Sequence, residues 1–177
     1  KIAELVAREM GLKLQYTWLS QRRGFFREAL KDGDGDLVIG APTEIERALT
    51  TKPYYRSTYV FVSRKDRHLK INSFDAPALK KLKIGVQIVG GSATPPAQAL
   101  GERGLVDNVV GFPVYGGGSD IPAEKLIAAV VSGEVDVAVV WGPLAGYFAR
   151  RSPVPLDVTP VTPAADGPFP FTFGISM

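Results

Sequence analysis

The 177-residue chain contains no cysteine and only one histidine, His68. Without cysteine, it has neither a disulfide nor a thiolate that would act as a nucleophile or bind zinc. A single histidine also rules out histidine-rich metal sites and leaves no second imidazole for a catalytic triad. His68 stands among charged residues, where we expect an exposed position. The sequence therefore predicts no metal site, no cofactor and no catalytic residue.

Long apolar runs and a strong charge imbalance are missing as well. No segment reaches the roughly 20 apolar residues that a transmembrane helix requires, and none has the layout of a signal peptide. The 21 basic and 18 acidic residues give a net charge of only +3, too little for the dense basic face of a nucleic-acid-binding protein. The most basic tract, 64–83, is expected to be solvated surface rather than a docking patch. We predict neither membrane insertion nor nucleic-acid binding.

Helical and strand patterns alternate along the chain, which is typical of an α/β fold built on a parallel sheet. Apolar residues at helical spacing predict a first helix that ends at Gly11 and a second helix around 25–30. Alternating or continuously apolar stretches predict strands at 12–18, 37–39, 54–62, 84–89 and 135–140.

The last of these strands is followed directly by Trp141. A helix is expected next, because Pro143 suits a first helical turn. The carboxyl end of a strand in an open α/β sheet is where ligands bind. An indole offers a large apolar surface with a single donor, which is the chemistry of a hot spot in a protein interface. The alternative interpretation is that Trp141 is a core residue packed under the following helix.

Hydroxyl-bearing residues mark further candidates. Strand 84–89 leads into VGGSATPPAQAL, in which Ser92 and Thr94 precede a helix opened by proline. Such a helix start can hold an anion, although the pattern of a phosphate-binding loop is absent. Tyr115 precedes three glycines, where a lip or hinge is expected. Tyr55 lies in an aromatic strand that could line a cleft, although packing is the expected role of most aromatic residues there.

Three long stretches resemble the type II periplasmic solute-binding proteins that bind polar amino acids. The resemblance covers nearly the whole chain in order, and the stretches that carry it are DLVIGAPTEIERALTTKPYYRSTYVFV, LKKLKIGVQIVGGSATPPAQAL and KLIAAVVSGEVDVAVVWGPLAGYF. Four phrases are closer to one branch of that family, the MxaJ and XoxJ accessory proteins associated with the quinoprotein alcohol dehydrogenases of bacterial methanol oxidation. These phrases are TKPYYRSTYVFVSR, RGLVDNVVGFPVYG, DVAVVWGPLAGYFA and PFTFGISM.

The resemblance implies a two-lobed α/β fold. Each lobe would be a mostly parallel sheet flanked by helices, and crossing strands would join the two lobes. Residues 1–62 and 155–177 would form the first lobe, and residues 63–154 the second. The resemblance also implies that both ends are truncated, with roughly 25–40 further residues expected ahead of Lys1.

The same resemblance indicates which positions face the ligand cleft. Amino-acid binders hold the ligand's carboxylate with an arginine where this chain has Glu44, while Arg47 lies three residues along. They hold its ammonium group with an aspartate where this chain has Trp141. Charge-assisted hydrogen bonds are worth roughly 1.5–3 kcal/mol each, so free amino acids should be poor ligands. The predicted cleft comprises Thr43, Glu44, Arg47, Tyr55, Ser92, Thr94, Tyr115 and Trp141.

The function implied is that of a periplasmic, non-enzymatic accessory factor. Its partner would be a PQQ-dependent methanol dehydrogenase of the calcium or the lanthanide class, alone or with its cytochrome c. The main alternative is a receptor that delivers an apolar or aromatic small molecule to an ABC transporter. A third alternative is an enzyme on the same scaffold, such as a prephenate or arogenate dehydratase, for which Glu44 is the only obvious acid–base candidate.

Overall fold

The computed structural model describes residues 1–19, 24–31, 35–43, 48–89, 92–114 and 121–177, apart from the side chains of Lys31 and Ser92. These residues form two compact units. Unit 1 comprises Lys1–Arg56 and Gly174–Met177, and unit 2 comprises Ser57–Phe173.

Strands and helices alternate between residues 92 and 160, whereas two helices open the chain and consecutive strands close it. The helices are α1 (Ile2–Glu9), α2 (Phe25–Lys31), α3 (Pro95–Glu102), α4 (Pro122–Ser132) and α5 (Gly142–Ala149). The strands are β1 (Ala41–Pro42), β2 (Tyr55–Arg64), β3 (Ile84–Val89), β4 (Ser92–Ala93), β5 (Val109–Pro113), β6 (Val137–Trp141), β7 (Leu156–Pro160), β8 (Ala165–Asp166), β9 (Phe169–Pro170) and β10 (Thr172–Ser176). Short 3₁₀ turns lie at Lys65–Arg67, Pro77–Lys81 and Val106–Asn108. None of the described helices is both long and apolar enough to cross a membrane.

Unit 1 contains α1, α2, β1 and the end of β10, which pairs with β1 in antiparallel fashion. Helix α1 ends as predicted, with Gly11 in the left-handed region at φ 65°. The predicted strands at 12–18 and 37–39 are wrong, because the structure assigns no strand at either stretch. Alternation of side chains marks which residues share a face, but a strand also needs a neighbour for its backbone groups.

Unit 2 is built on a mixed sheet. Strands β3, β5 and β6 run parallel, with β3 in the centre, and the short β4 folds back on the end of β3. Strand β2 runs antiparallel to both β6 and β7 and lies between them. A separate hairpin joins β8 to β9.

Both faces of this sheet are covered. One face packs Phe61, Val86 and Val139 against α3, and the other packs Val62 and Val140 against α4 and α5. The predicted strand at 135–140 is confirmed, with bounds shifted to Val137–Trp141, and its first four residues are buried. Because the covered strands alternate between two clusters, a run of valine and alanine suits both faces equally.

The units do not divide where the lobes were predicted to divide. Residues 57–62 belong to unit 2 because β2 pairs with β6, and residues 155–173 belong to it because β7 pairs with β2. The chain passes from one unit to the other within β2 and again within β10. The assignment of 1–62 plus 155–177 and of 63–154 to the two lobes stays a prediction.

Candidate binding site

Three aromatic rings meet at the carboxyl end of β6. The indole of Trp141 stacks on the ring of Phe173, with centroids 4.3 Å apart and planes 19° apart. Tyr59 meets the indole edge-on at 5.4 Å and lies 6.2 Å from Phe173. All three side chains belong to unit 2 and are partly buried. We call these three residues the aromatic cluster.

Strand register places two members of the cluster. Tyr59 in β2 lies directly opposite Trp141 in β6, so their side chains share one face of the sheet. Phe61 and Val139 follow on that face and are buried. The cluster is therefore the partly buried end of a row of side chains that continues into the core.

Backbone hydrogen bonds place the third member. The carbonyl oxygen of Phe171 accepts bonds from the Tyr59 amide at 2.8 Å and from the Thr58 hydroxyl at 3.0 Å. Phe171 is fully buried, and two residues later Phe173 reaches the same face as Trp141. These bonds fix the position from which the Phe173 ring stacks on the indole.

The residue after Trp141 is Gly142, which leaves room for the backbone of Thr58 to approach closely. A Cβ atom on Gly142 would lie 2.8 Å from the Thr58 carbonyl oxygen and 3.0 Å from the Ser57 hydroxyl oxygen. Helix α5 begins at this glycine, with Pro143 in its first turn as predicted. The tight contact holds Trp141 at the junction of β6 and α5.

Two polar atoms of the cluster have no protein partner among the described residues. Neither the indole N–H of Trp141 nor the hydroxyl of Tyr59 donates a hydrogen bond to a described residue. Burial raises the pKa of the Tyr59 phenol to about 12, so this group is neutral and can donate at physiological pH. Buried tyrosine and tryptophan usually satisfy their polar atoms, so two donors without a partner among the described residues, beside stacked rings, suit a surface that receives a ligand or a partner.

The Trp141 side chain is not packed beneath α5, which was the alternative predicted from sequence. Tyr147 of that helix instead meets Phe148 edge-on at 5.0 Å, and Phe148 packs on the opposite face of the sheet from the aromatic cluster. The sequence analysis named neither Phe173 nor Tyr59 as a site residue. The signal that would have found both is the register of β2 against β6, which the sequence alone does not supply.

The second candidate lies at the end of β3, on the same edge of the sheet as Trp141. Thr94 precedes α3, but its hydroxyl donates to the Gln87 carbonyl at 2.8 Å and caps no helical amide. Pro95 and Pro96 occupy the first turn and have no N–H, so this helix start has lost donors that would hold an anion. Ser92 pairs with Val89 through the backbone of β4. A binding role for Ser92 and Thr94 stays a prediction.

The remaining predicted residues belong to unit 1 or lie outside the described residues. Thr43 donates its amide to the Gly174 carbonyl at 3.1 Å. Tyr55 is exposed, and its ring meets that of Tyr54 at 5.4 Å. The other three, which are Glu44, Arg47 and Tyr115, lie outside the described residues.

The structure offers no metal centre within the part of the chain that it describes. No three acidic or imidazole side chains come together there in a group able to hold a metal ion. His68, the single histidine, is exposed at the end of the turn Lys65–Arg67, as its charged surroundings predicted.

Known proteins similar to this chain include bacterial proteins named MoxJ. Protein MoxJ of Methylorubrum extorquens AM1 is 34% identical over 182 residues, which cover 94% of this chain and 59% of MoxJ. This chain thus spans about three fifths of the length of that curated relative. No family model matches the chain.

Two crystal structures extend the similarity to three dimensions. The periplasmic binding protein XoxJ from Methylobacterium extorquens AM1 is 37% identical, with a TM-score of 0.75, over 99% of this chain and 72% of XoxJ. MxaJ from Methylophaga aminisulfidivorans MPT is 25% identical, with a TM-score of 0.80, over 99% of this chain and 75% of MxaJ. The predicted type II periplasmic binding-protein fold and the predicted likeness to this branch are confirmed.

Proposed function

The chain belongs to the MxaJ and XoxJ family of type II periplasmic binding proteins, and from this premise we propose that it assists a PQQ-dependent methanol dehydrogenase in the periplasm. It acts without catalysing a reaction, by binding the dehydrogenase or the dehydrogenase with its cytochrome c. The observation that carries the proposal is the stack of Trp141 on Phe173 at the carboxyl end of β6.

The chemistry of the aromatic cluster favours a protein partner over a free amino acid. A zwitterion needs a fixed charge at this edge of the sheet. The resemblance implies that amino-acid binders supply it with an aspartate at the position of Trp141. The indole offers apolar area and one donor instead, and Tyr59 adds a second donor that stays neutral below pH 10. Large aromatic side chains with one free polar atom are typical of interface hot spots.

Co-purification tests the proposal. The tagged protein, a Trp141→Ala variant and a Trp18→Ala variant are each incubated with periplasmic extract of methanol-grown cells. Trp18 is the matched control, because it is the only other tryptophan and is 87% exposed in unit 1. We expect the wild type and Trp18→Ala to retain a quinoprotein dehydrogenase. Trp141→Ala should lose most of it, since a central aromatic anchor contributes about 2 kcal/mol or more.

The outcome that contradicts the proposal is retention of no dehydrogenase by the wild type. The receptor for an apolar or aromatic solute is then the better account, because the exposed part of the Trp141–Phe173 stack suits a planar ring. Isothermal titration with the twenty amino acids adds an independent check, since we expect no binding tighter than millimolar. A micromolar amino-acid ligand would contradict that expectation and make Arg47 the suspected carboxylate clamp.

A further inference from the structure

A groove runs along the outer side of unit 2, between α5 and the strand β7. Its volume is about 970 Å³, and it shares no residue with the aromatic cluster. Pro143, Gly146 and Tyr147 line it from the helix, and Leu156 and Val158 line it from the strand. The floor is therefore apolar, and one wall is a β-strand.

The strand that forms this wall has an open edge. Hydrogen bonds from the Lys65 amide to the Pro155 carbonyl and from the Val161 amide to the Tyr59 carbonyl fix the ladder between β2 and β7. In an antiparallel pair, alternate residues turn their backbone groups to the neighbour. Leu156 and Val158 consequently direct their N–H and C=O groups away from β2, and no described strand pairs with that side.

Prolines limit the open edge to a short length. Pro155 precedes the strand and Pro160 ends it, and neither has an N–H to donate. Open edges are normally covered or interrupted because they accept strands from other chains. Here the interruption leaves room for a segment of only a few residues, which favours one specific occupant over open-ended aggregation.

The groove carries positive charge at one end. Arg150 and Arg151 follow α5 and line the groove near the start of β7, whereas Pro143 lies at the other end of the helix. The Arg151 guanidinium stacks 3.7 Å from the centroid of the Tyr147 ring and donates to the Tyr147 carbonyl at 3.3 Å. No described acid lies within ion-pair distance of either arginine. The stacked guanidinium is held in place with donors to spare for a carboxylate.

We infer that the open edge of β7 and the α5 groove form a docking site for an extended acidic segment of a partner protein. The segment adds a strand to β7, places alternate apolar side chains in the groove and directs carboxylates to Arg150 and Arg151. A second copy of this chain fits less well, because it would bring its own two arginines to the same surface. The inference is independent of the dehydrogenase proposed above and of Trp141.

Two synthetic peptides serve as the probe, labelled with fluorescein and carrying the carboxylates at opposite ends: EEVTVTV and VTVTVEE. The added strand can run parallel or antiparallel to β7, and in each case one of the two peptides brings its carboxylates to Arg150 and Arg151. Anisotropy gives the affinity, and amide hydrogen exchange by NMR reports directly on the strand edge. We expect the better peptide to slow exchange at the Leu156 and Val158 amides, for which the described strands supply no hydrogen-bond partner.

Matched variants separate the docking site from general charge attraction. The double variant R150E/R151E should weaken binding by about tenfold or more, since losing one charge-assisted contact costs about that factor. K80E/K81E makes the same change in net charge at two exposed lysines elsewhere in unit 2 and should stay close to wild type. Val158→Pro should abolish binding by removing an outward N–H, whereas Val158→Ala keeps the N–H and should retain most of it.

Three results would overturn the inference. The first is that hydrogen exchange at the Leu156 and Val158 amides does not change under saturating peptide. The second is that R150E/R151E and K80E/K81E lose the same peptide affinity. The third is that the free protein self-associates through β7. If Val158→Pro does not fold, the charge variants and the exchange data still decide. The test uses no dehydrogenase, so its failure is distinct from failure of the proposed function.

Discussion

Unit 2 packs its apolar side chains against one another, whereas unit 1 leaves most of its described apolar side chains exposed or only partly buried. Helix α4 in unit 2 buries five residues, and helix α1 in unit 1 buries none. Both helices are amphipathic by sequence. The difference teaches that a helical pattern predicts where a helix forms, while burial depends on whether another element covers its apolar face.

The core clusters follow the same division. Both hydrophobic clusters formed by the described residues lie entirely within unit 2. Unit 1 instead exposes Trp18, Leu12 and Met10 by more than half of each residue's surface. Packing among the described residues therefore stabilises unit 2 far more than unit 1. This difference predicts how substitutions in the two units change the free energy of unfolding.

The largest expected effect comes from truncating the same residue type in both units. Leu126 in α4 is fully buried, so Leu126→Ala should lower the free energy of unfolding by about 3–5 kcal/mol through lost burial and a cavity. Leu5 in α1 is 48% exposed, and Leu5→Ala should change stability by no more than about 0.5 kcal/mol. Urea denaturation of both variants measures the contrast. A large loss of stability in Leu5→Ala would mean that Leu5 packs against residues other than the described ones.

A smaller effect is expected within α5, between a packed glycine and an open one. Gly142→Ala should cost roughly 1–3 kcal/mol, because the new Cβ would press on the Thr58 carbonyl and the backbone has to shift. Gly146→Ala has open space around it and should be neutral or stabilise by up to about 1 kcal/mol through helix propensity. Thermal unfolding of the pair gives the difference. Equal behaviour of the two variants would contradict the close approach that positions Trp141.

The smallest effect concerns the pH dependence of stability through Tyr59. The unfolded phenol ionises near pH 10, whereas burial raises the pKa in the folded state to about 12. The stabilising contribution is therefore complete below pH 10 and is lost as the pH rises through 12. Two pKa units set a ceiling of about 2.7 kcal/mol, and partial exposure should reduce this to about 1–2 kcal/mol.

Denaturation between pH 9 and 12 measures this effect, with Tyr59→Phe as the control. The wild type should lose more stability over this range than the variant, which has no phenol to ionise at that position. Parallel curves for the two proteins would show that Tyr59 is not held neutral at the aromatic cluster.

The sequence predicted the elements of unit 2 better than those of unit 1. Apolar runs predicted the strands at Ile84–Val89 and Val137–Trp141 almost to the residue. A short run of apolar residues is typical of a strand that is covered on both faces. The alternation at 12–18 predicted a strand that the structure does not contain. A local pattern cannot show whether a neighbouring strand exists to pair with.

The candidate site was predicted only in part for a related reason. Trp141 was found because it stands at the end of a buried strand, which is a local feature. Its neighbours Tyr59 and Phe173 lie 82 residues before it and 32 residues after it, and only pairing register and the bonds to Phe171 bring them together. Contacts between distant segments are the part of a site that one sequence specifies least directly.

The central claim is that Trp141 docks a partner rather than completing a core. The most direct test measures, for Trp141→Ala and Trp18→Ala, both the melting temperature and the affinity for a purified PQQ-dependent methanol dehydrogenase. We predict that Trp141→Ala binds roughly thirtyfold more weakly, from a loss of about 2 kcal/mol, while its melting temperature stays near that of Trp18→Ala. Unchanged affinity together with a stability loss of about 3–5 kcal/mol would contradict the claim and make Trp141 a core residue.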